Sequence, residues 1–105
     1  MSELQNIANR TFGNLVKAVV DINKKTVVID GELHADLEHF LLEQGSIQHN
    51  LWGINLHPGQ YNTDNFIEYD SMINLRPNQD NFSRGVDNSD IRDQIQQIIK
   101  PLFRI

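Results

Sequence analysis

Two valine-rich runs separated by a short polar link are the feature that most constrains this chain. The runs cover residues 14–22 (NLVKAVVDI) and 26–30 (TVVID), and the polar NKK lies between them. β-branched residues favour extended strands, and two such runs around a short polar link indicate an antiparallel hairpin. The chain is therefore expected to build a sheet, against which its other segments pack.

Three segments carry the apolar spacing of helices. The first covers residues 3–11, and the second follows Gly31, covers 32–45 (ELHADLEHFLLEQG) and ends at Gly45. The third follows a cap at Asp87 or Ser89, and Pro101 is predicted to break or kink it one turn before its end. Its apolar stripe is the strongest in the chain and consists of Ile91, Ile95, Ile98, Ile99, Leu102 and Phe103.

Two further segments between the second and third helices alternate apolar and polar residues. The first is LWGINLHP at 51–58, and the second is FIEYDSMINLR at 66–76, which is predicted to be the longest strand. Pro77 ends the second segment, because proline has no N–H to donate to a central ladder.

The order of elements is α-ββ-α-ββ-α over one domain, residues 1–105. It predicts an α+β fold with a four-stranded, mainly antiparallel sheet and its helices on one face. The opposite face would then be open, and its mixture of apolar and charged residues is compatible with a homodimer that packs through it, with a monomer as the equal alternative. That face is predicted to carry Leu15, Lys17, Val19, Val28, Asp30, Glu32, Asn55, His57, Glu68, Asp70, Met72, Asn74 and Arg76.

Charge and composition disfavour several classes of function. The net charge of −5 and the absence of a basic run argue against direct nucleic-acid binding, although not against an inhibitor that mimics a nucleic acid. The chain has no cysteine, which excludes disulfides and thiolate metal sites. It shows neither a secretory signal nor an apolar run that could span a membrane, so we expect a cytoplasmic protein with no membrane partner.

A polar loop after the second strand pair is the first candidate site. Arg76, Asn78, Gln79, Asn81, Ser83 and Arg84 crowd into it, and Asp70 lies just before it. Arginine forks suit carboxylate or phosphate geometry, so these residues predict an anion- or carboxylate-binding site. The alternative is that the loop uses the same side chains to satisfy its own backbone groups, and that reading is slightly favoured.

A weaker hypothesis is a divalent metal held by His34, Glu38 and Asp70. His34 and Glu38 are four residues apart and share one helix face, and Asp70 would supply a distant carboxylate. With His57, these residues also support the alternative of a small metal-assisted hydrolase or isomerase. The spacing is common, however, and neither H-E-x-x-H nor a nucleophile or phosphate-loop motif is present, so a solvated helix face is favoured.

Several blocks of the sequence resemble one family. They are GELHAD at 31–36, LLEQGS at 41–46, LWGINL at 51–56 and DSMINLRPNQDNFSRGV at 70–86. Together they resemble a small uncharacterised prokaryotic family of about this length, a domain of unknown function. The resemblance implies no activity, cofactor or catalytic residue. The sequence thus favours a non-enzymatic binding or interaction module whose ligand and cofactor it does not identify.

Overall fold

A four-stranded antiparallel sheet runs through the residues that the computed structural model describes, which are 15–29, 31–61 and 63–103. The strands are β1 (Val16–Asp21), β2 (Thr26–Ile29), β3 (Leu51–Leu56) and β4 (Ile67–Glu68), and they lie side by side in the order β2-β1-β3-β4. Two helices, α1 (His34–Glu43) and α2 (Ser89–Leu102), complete this part of the chain. The predicted α+β class and antiparallel sheet are confirmed, while the helix predicted over 3–11 lies outside the described residues.

The predicted hairpin is formed by β1 and β2, with Val19 opposite Val28 and Val20 opposite Val27. Asp21 fixes its turn, because one carboxylate oxygen accepts from the backbone N–H groups of Asn23 (2.9 Å) and Lys24 (3.0 Å). The other oxygen accepts from the Ser46 hydroxyl at 2.7 Å. A buried carboxylate thus ties the hairpin turn to the loop that follows α1, with both of its oxygens hydrogen-bonded.

Helix α2 packs on one face of the sheet and covers the larger apolar cluster. Alternate residues of a strand point to opposite faces, and the even-numbered residues of β1 and β3 lie on this side. Ile95 and Ile99 of α2 are fully buried here. The strands contribute Val16, Ala18, Val20, Trp52, Ile54 and Leu56, and the chain around β4 adds Phe66 and Ile67.

Helix α1 packs on the opposite face, which corrects the prediction that the helices share one side. Its Leu37 and Leu41 form a second cluster with Val19 and Leu51, whose odd numbers place them on the other side of the same strands. Both faces carry apolar residues in the middle of the sheet, so each face must pack against another segment to remove those residues from water. The open face on which the predicted homodimer depended is therefore largely occupied by α1 and by residues 71–74.

Strand β4 has two residues, whereas the sequence predicts a strand over 66–76. After Glu68 the chain leaves the ladder and forms a short 3₁₀ turn at Met72–Asn74, which the Ser71 hydroxyl caps by accepting from the N–H of Ile73. The chain crosses the sheet face directly over Gly53. A Cβ placed on Gly53 would lie 2.7 Å from the Ser71 side chain, so only glycine permits this approach.

Helix α2 is capped by Asn88, not by the predicted Asp87 or Ser89. The Asn88 side-chain oxygen accepts from the N–H groups of Asp90 (2.8 Å) and Ile91 (3.3 Å). The helix includes Pro101 and ends one residue later at Leu102. Within the described residues, neither helix is long and apolar enough to cross a membrane.

Candidate functional site

The polar loop of residues 76–84 closes on itself through backbone hydrogen bonds. The N–H of Arg76 donates to the carbonyl of Asn81 (2.9 Å), and the N–H of Asn81 donates to the carbonyl of Arg76 (3.1 Å). Pro77–Gln79 forms a 3₁₀ turn inside this bridge, and Asp80 takes a left-handed conformation with φ 59° to complete the reversal. The loop is therefore a short closed turn.

The Asn81 side chain joins several parts of this turn through hydrogen bonds. Its side-chain amide donates to the carbonyls of Asn74 (2.7 Å) and Gly85 (2.8 Å), and its side-chain oxygen accepts from the N–H of Asp87 (2.8 Å). The amide also contacts the carbonyl of Ser83 at 3.2 Å. Because Asn81 is buried and its bonds run to the loop's own backbone, it has a structural role here.

Asp87 ties down the end of the loop. Its carboxylate accepts from the Ser83 hydroxyl at 2.5 Å and from the N–H of Phe82 at 2.8 Å. These hydrogen bonds, led by that of Ser83, lower the pKa of the Asp87 carboxyl, because they favour its ionised form. The Ser83 hydroxyl is thus already engaged within the loop.

The guanidinium of Arg76 points inward, and its residue is only 7% exposed. It donates to the carbonyls of Gln48 (2.5 Å) and Leu51 and to the side-chain oxygen of Gln79 (3.1 Å). It also lies over the Trp52 ring, 4.2 Å from the ring centre, where a cation–π attraction adds to these bonds. Burial lowers the pKa of the Arg76 guanidinium, and the nearby charge of Glu38 opposes that shift.

Arg84 lies elsewhere and pairs with Asp70. Its Nε donates to the Asp70 carboxylate at 2.7 Å, with 57% and 44% of the two side chains exposed. Asp70 lies beside Asn55, whose amide donates to its backbone carbonyl, whereas Arg76 lies at Leu51. The two points are about 13 Å apart at the usual strand rise of ~3.3 Å per residue. The two arginines therefore do not form a joint anion pocket.

The residues of the metal hypothesis are also kept apart. His34 donates from Nε2 to the carbonyl of Ile54 at 2.7 Å, because a carbonyl can only accept. Burial lowers the pKa of His34, which favours the neutral ring, while Asp70 is engaged by Arg84. Among the described residues, no group of three or more His, Asp or Glu side chains could hold a metal ion. The described residues therefore do not include His34, Glu38 and Asp70 as a group that could hold a metal ion.

Polar side chains do gather in a row across the sheet beyond α1. Lys17 of β1, Asn55 of β3 and Glu68 of β4 are neighbours in the register. The Asn55 amide donates to the Glu68 carboxylate at 2.9 Å, and His57 Nε2 contacts the same carboxylate oxygen at 3.2 Å. This row balances charge across strands, which is the ordinary use of such pairs.

A groove of about 440 Å³ lies between α2 and the chain that leads into β4. Three aromatic residues, Tyr61, Phe66 and Tyr69, line it together with the apolar Ile67, and the Tyr61 and Phe66 rings meet edge to face with their centres 5.2 Å apart. Its volume and aromatic lining fit the usual dimensions of a ligand site.

Polar groups of α2 and of the loop before β4 complete the groove. Asp64, Gln96 and Lys100 line it, and Gln96 and Lys100 lie one helical turn apart, so they share a face of α2. The Gln96 amide donates to the Tyr69 hydroxyl at 3.3 Å, and that hydroxyl donates to the carbonyl of Arg92 at 3.4 Å. Burial raises the pKa of Tyr69, so its hydroxyl stays protonated and holds this position.

This groove is not predicted by the sequence patterns. Its aromatic residues come from the chain around β4, whereas Gln96 and Lys100 come from a helix more than 25 residues further along the chain. No local spacing joins them. The sequence feature that points towards the groove is the pair Gln96 and Lys100, which lie along one side of the isoleucine stripe of α2.

Comparison with known proteins agrees with the resemblance of the sequence blocks. No curated protein and no solved structure matches the chain. A family described as a protein of unknown function, DUF5674, matches residues 1–102. The chain therefore belongs to the DUF5674 family, a family of proteins of unknown function.

Proposed function

We propose that this protein is a non-enzymatic binding module whose ligand occupies the aromatic groove between α2 and β4. The observation that carries this proposal is the groove itself, with three aromatic residues and one lysine lining about 440 Å³. Ligand sites are typically concave and mostly apolar, with a few polar groups that fix orientation. The groove is concave, and its lining is mixed: three aromatic rings and Ile67 stand beside Thr63, Asp64, Gln96 and Lys100.

The proposed binding site replaces the polar loop predicted from sequence. The side-chain amides of Gln79 and Asn81, the Ser83 hydroxyl and the Arg76 guanidinium are bonded within the fold. A ligand would have to compete with hydrogen bonds that are already made, and the loss of a buried one costs about 1–3 kcal/mol. An anion site built on Arg76 is therefore disfavoured.

The carboxylate preference predicted for the loop is retained, and we assign it to Lys100. This residue is exposed in the last turn of α2 and lines the groove. Within the described residues its ammonium group forms no hydrogen bond or ion pair. A ligand that places an aromatic or aliphatic group against Tyr61 and Phe66, with a carboxylate near Lys100, matches the chemistry of the groove.

The arrangement of the other ionisable residues favours binding over catalysis. His34 is tied to a backbone carbonyl and Asp70 to Arg84, so neither is set beside a nucleophile or a metal site. His57 and Glu68 lie on the α1 face of the sheet, opposite the cluster that α2 covers. The groove is thus separate from the residues that a hydrolase or isomerase would use.

Amide NMR spectra recorded during titration with N-acetylphenylalanine test this proposal. We expect the resonances of Tyr69, Gln96 and Lys100 to shift, and the neutral N-acetylphenylalaninamide to bind more weakly. Lys100→Glu should weaken the binding of N-acetylphenylalanine. Lys25→Glu makes the same charge change in the turn between β1 and β2, and it should leave that binding unchanged. Shifts confined to residues outside the groove, or equal effects of the two variants, would overturn the proposal.

A further inference from the structure

Among the described residues, the aromatic groove borders the edge of the sheet that β4 forms. β4 is the last strand in the order β2-β1-β3-β4, and Ile67 of β4 lines the groove together with its neighbours Phe66 and Tyr69. Its other wall is helix α2, through Gln96 and Lys100. The cavity is therefore a channel between an edge strand and a helix.

The hydrogen-bond pattern of β4 shows which backbone groups face that edge. The N–H of His57 donates to the carbonyl of Phe66 at 2.9 Å, and Glu68 is opposite Asn55. In an antiparallel pair, residues alternate between bonding to the partner strand and facing away from it. Phe66 and Glu68 thus face β3, and the N–H and carbonyl of Ile67 between them face the groove side.

An edge strand with outward N–H and carbonyl groups is a template for another extended chain. A strand added there would have alternate side chains on the α2 side of the sheet, where Tyr61, Phe66 and Gln96 lie. Main-chain bonds would supply affinity, and pockets for alternate side chains would supply specificity. A compact small molecule would use the rings but leave Ile67 unpaired.

We propose that the natural occupant of the groove is an extended peptide that adds as a strand beside β4. This inference rests on the proposed function and specifies the ligand and its binding mode. The peptide bonds to the N–H and carbonyl of Ile67, places an apolar side chain against the aromatic rings, and brings a carboxylate to Lys100. The carboxylate belongs either to a C-terminus or to an acidic side chain.

A second copy of this chain is a less suitable occupant. β4 has two residues, so pairing between two β4 strands would form a very short ladder. Glu68 would also bring like charges together near the two-fold axis of such a pair, which is unfavourable across paired strands. A separate extended peptide pairs with the same two residues of β4, but it need not bring a second carboxylate beside Glu68.

Selection from a displayed random hexapeptide library, followed by hydrogen exchange, tests the inference. Saturation with a selected peptide is expected to slow exchange of the Ile67 amide by about tenfold or more, because that amide gains a hydrogen bond. N-methylation at the peptide residues that bond to Ile67 should weaken binding by about tenfold, and methylation at the residues between them by less than about twofold. A selected peptide made with a C-terminal amide distinguishes the two sources of the carboxylate. Amidation removes a contact between the C-terminus and Lys100, but it leaves a contact from an acidic side chain unchanged.

Three outcomes would overturn the inference. They are a failure to select any peptide, selected peptides that leave exchange at Ile67 unchanged, and a dimer in light scattering whose dissociation accompanies peptide binding. If N-acetylphenylalanine still shifts Tyr69, Gln96 and Lys100 in such a case, the proposed function stands and only the peptide mode fails. If neither probe reaches the groove, both fail.

Discussion

The two edges of β3 are held in different ways. Its inner edge pairs residue by residue with β1, from Leu51 opposite Asp21 to Leu56 opposite Val16. Among the described residues, its outer edge has a backbone strand partner only at Asn55 and Leu56, where β4 lies. Further along that edge the partners are side chains, namely the Asn74 amide at Gly53 and the Arg76 guanidinium at Leu51.

The Asn74 side chain occupies the hydrogen-bonding position that a neighbouring strand would have beside Gly53. Its side-chain oxygen accepts from the N–H of Gly53 at 2.8 Å, and its side-chain nitrogen donates to the carbonyl of the same residue at 2.9 Å. One amide side chain thus provides the donor and the acceptor that a neighbouring backbone would supply. The comparison teaches that two polar residues can close a buried strand edge over a distance where no strand is present.

The largest effect is expected for Asn74→Ala. Asn74 is fully buried, and its loss would leave the N–H and the carbonyl of Gly53 without their partner. The carbonyl of Arg84 would lose one of its two donors and keep the N–H of Ser71. Each buried polar group left unsatisfied costs ~1–3 kcal/mol, so we expect a loss of about 3 kcal/mol or more in the free energy of unfolding. Urea denaturation measures it. Asn78→Ala, at an exposed position in the loop, is the matched control and should change stability by less than ~0.5 kcal/mol.

Arg76→Met should come next, with a loss of about 2–3 kcal/mol in the free energy of unfolding. The substitution keeps much of the apolar stem but leaves the carbonyl of Leu51 unpaired and removes the contact with Trp52. The carbonyl of Gln48 loses its bond from Arg76 and keeps the one from the N–H of Leu51. Arg84→Met is the control, because an exposed ion pair contributes at most ~1 kcal/mol. Equal losses in the two variants would contradict the distinction between a structural and a surface arginine.

Asn88→Ala should cost about 1 kcal/mol, the usual effect of removing a helix N-cap. This helix packs on the face away from Asn74, so the effect should add to that of Asn74→Ala in the double variant. Thermal or urea unfolding of the two single variants and the double variant measures the sum. A clearly non-additive result would show that the outer edge of β3 and the cap of α2 are coupled.

The smallest effect is the pH dependence that His34 introduces. Burial lowers its pKa in the folded state, so the unfolded chain binds more protons as the pH falls through the ordinary value of 6.5. The stability contribution of His34 is therefore fully present above that value and declines as the pH falls towards the folded pKa. Unfolding measured between pH 7.5 and 5 should show a shallower decline in a His34→Gln variant than in the parent.

Local patterns predicted the parts of the fold that local forces determine. The valine runs of β1 and β2 and the isoleucine stripe of α2 have the periods of their elements, and all three appear close to their expected places. The position of α1 could not be predicted in the same way. Strands β1 and β3 are apolar on both sides, so the sequence alone left open which face each helix would cover.

The segment 66–76 shows why the rest was missed. Its alternating pattern predicts a strand, but the contacts that decide its path join Asn74 to Gly53 and Arg76 to Leu51, which are 21 and 25 residues apart. A glycine inside a strand, as at Gly53, can mark the close approach of another chain segment. The glycine indicates where another segment crosses the strand, but it does not identify the side chains that make the contacts there.

Hydrogen exchange at the amide of Gly53 tests the central claim, that side chains complete the outer edge of β3, most directly. The account predicts that this amide exchanges about as slowly as those of Trp52 and Ile54 in the parent, and much faster than they do in Asn74→Ala under conditions where the variant stays folded. Fast exchange of the Gly53 amide in the parent, or unchanged protection in Asn74→Ala, would contradict it.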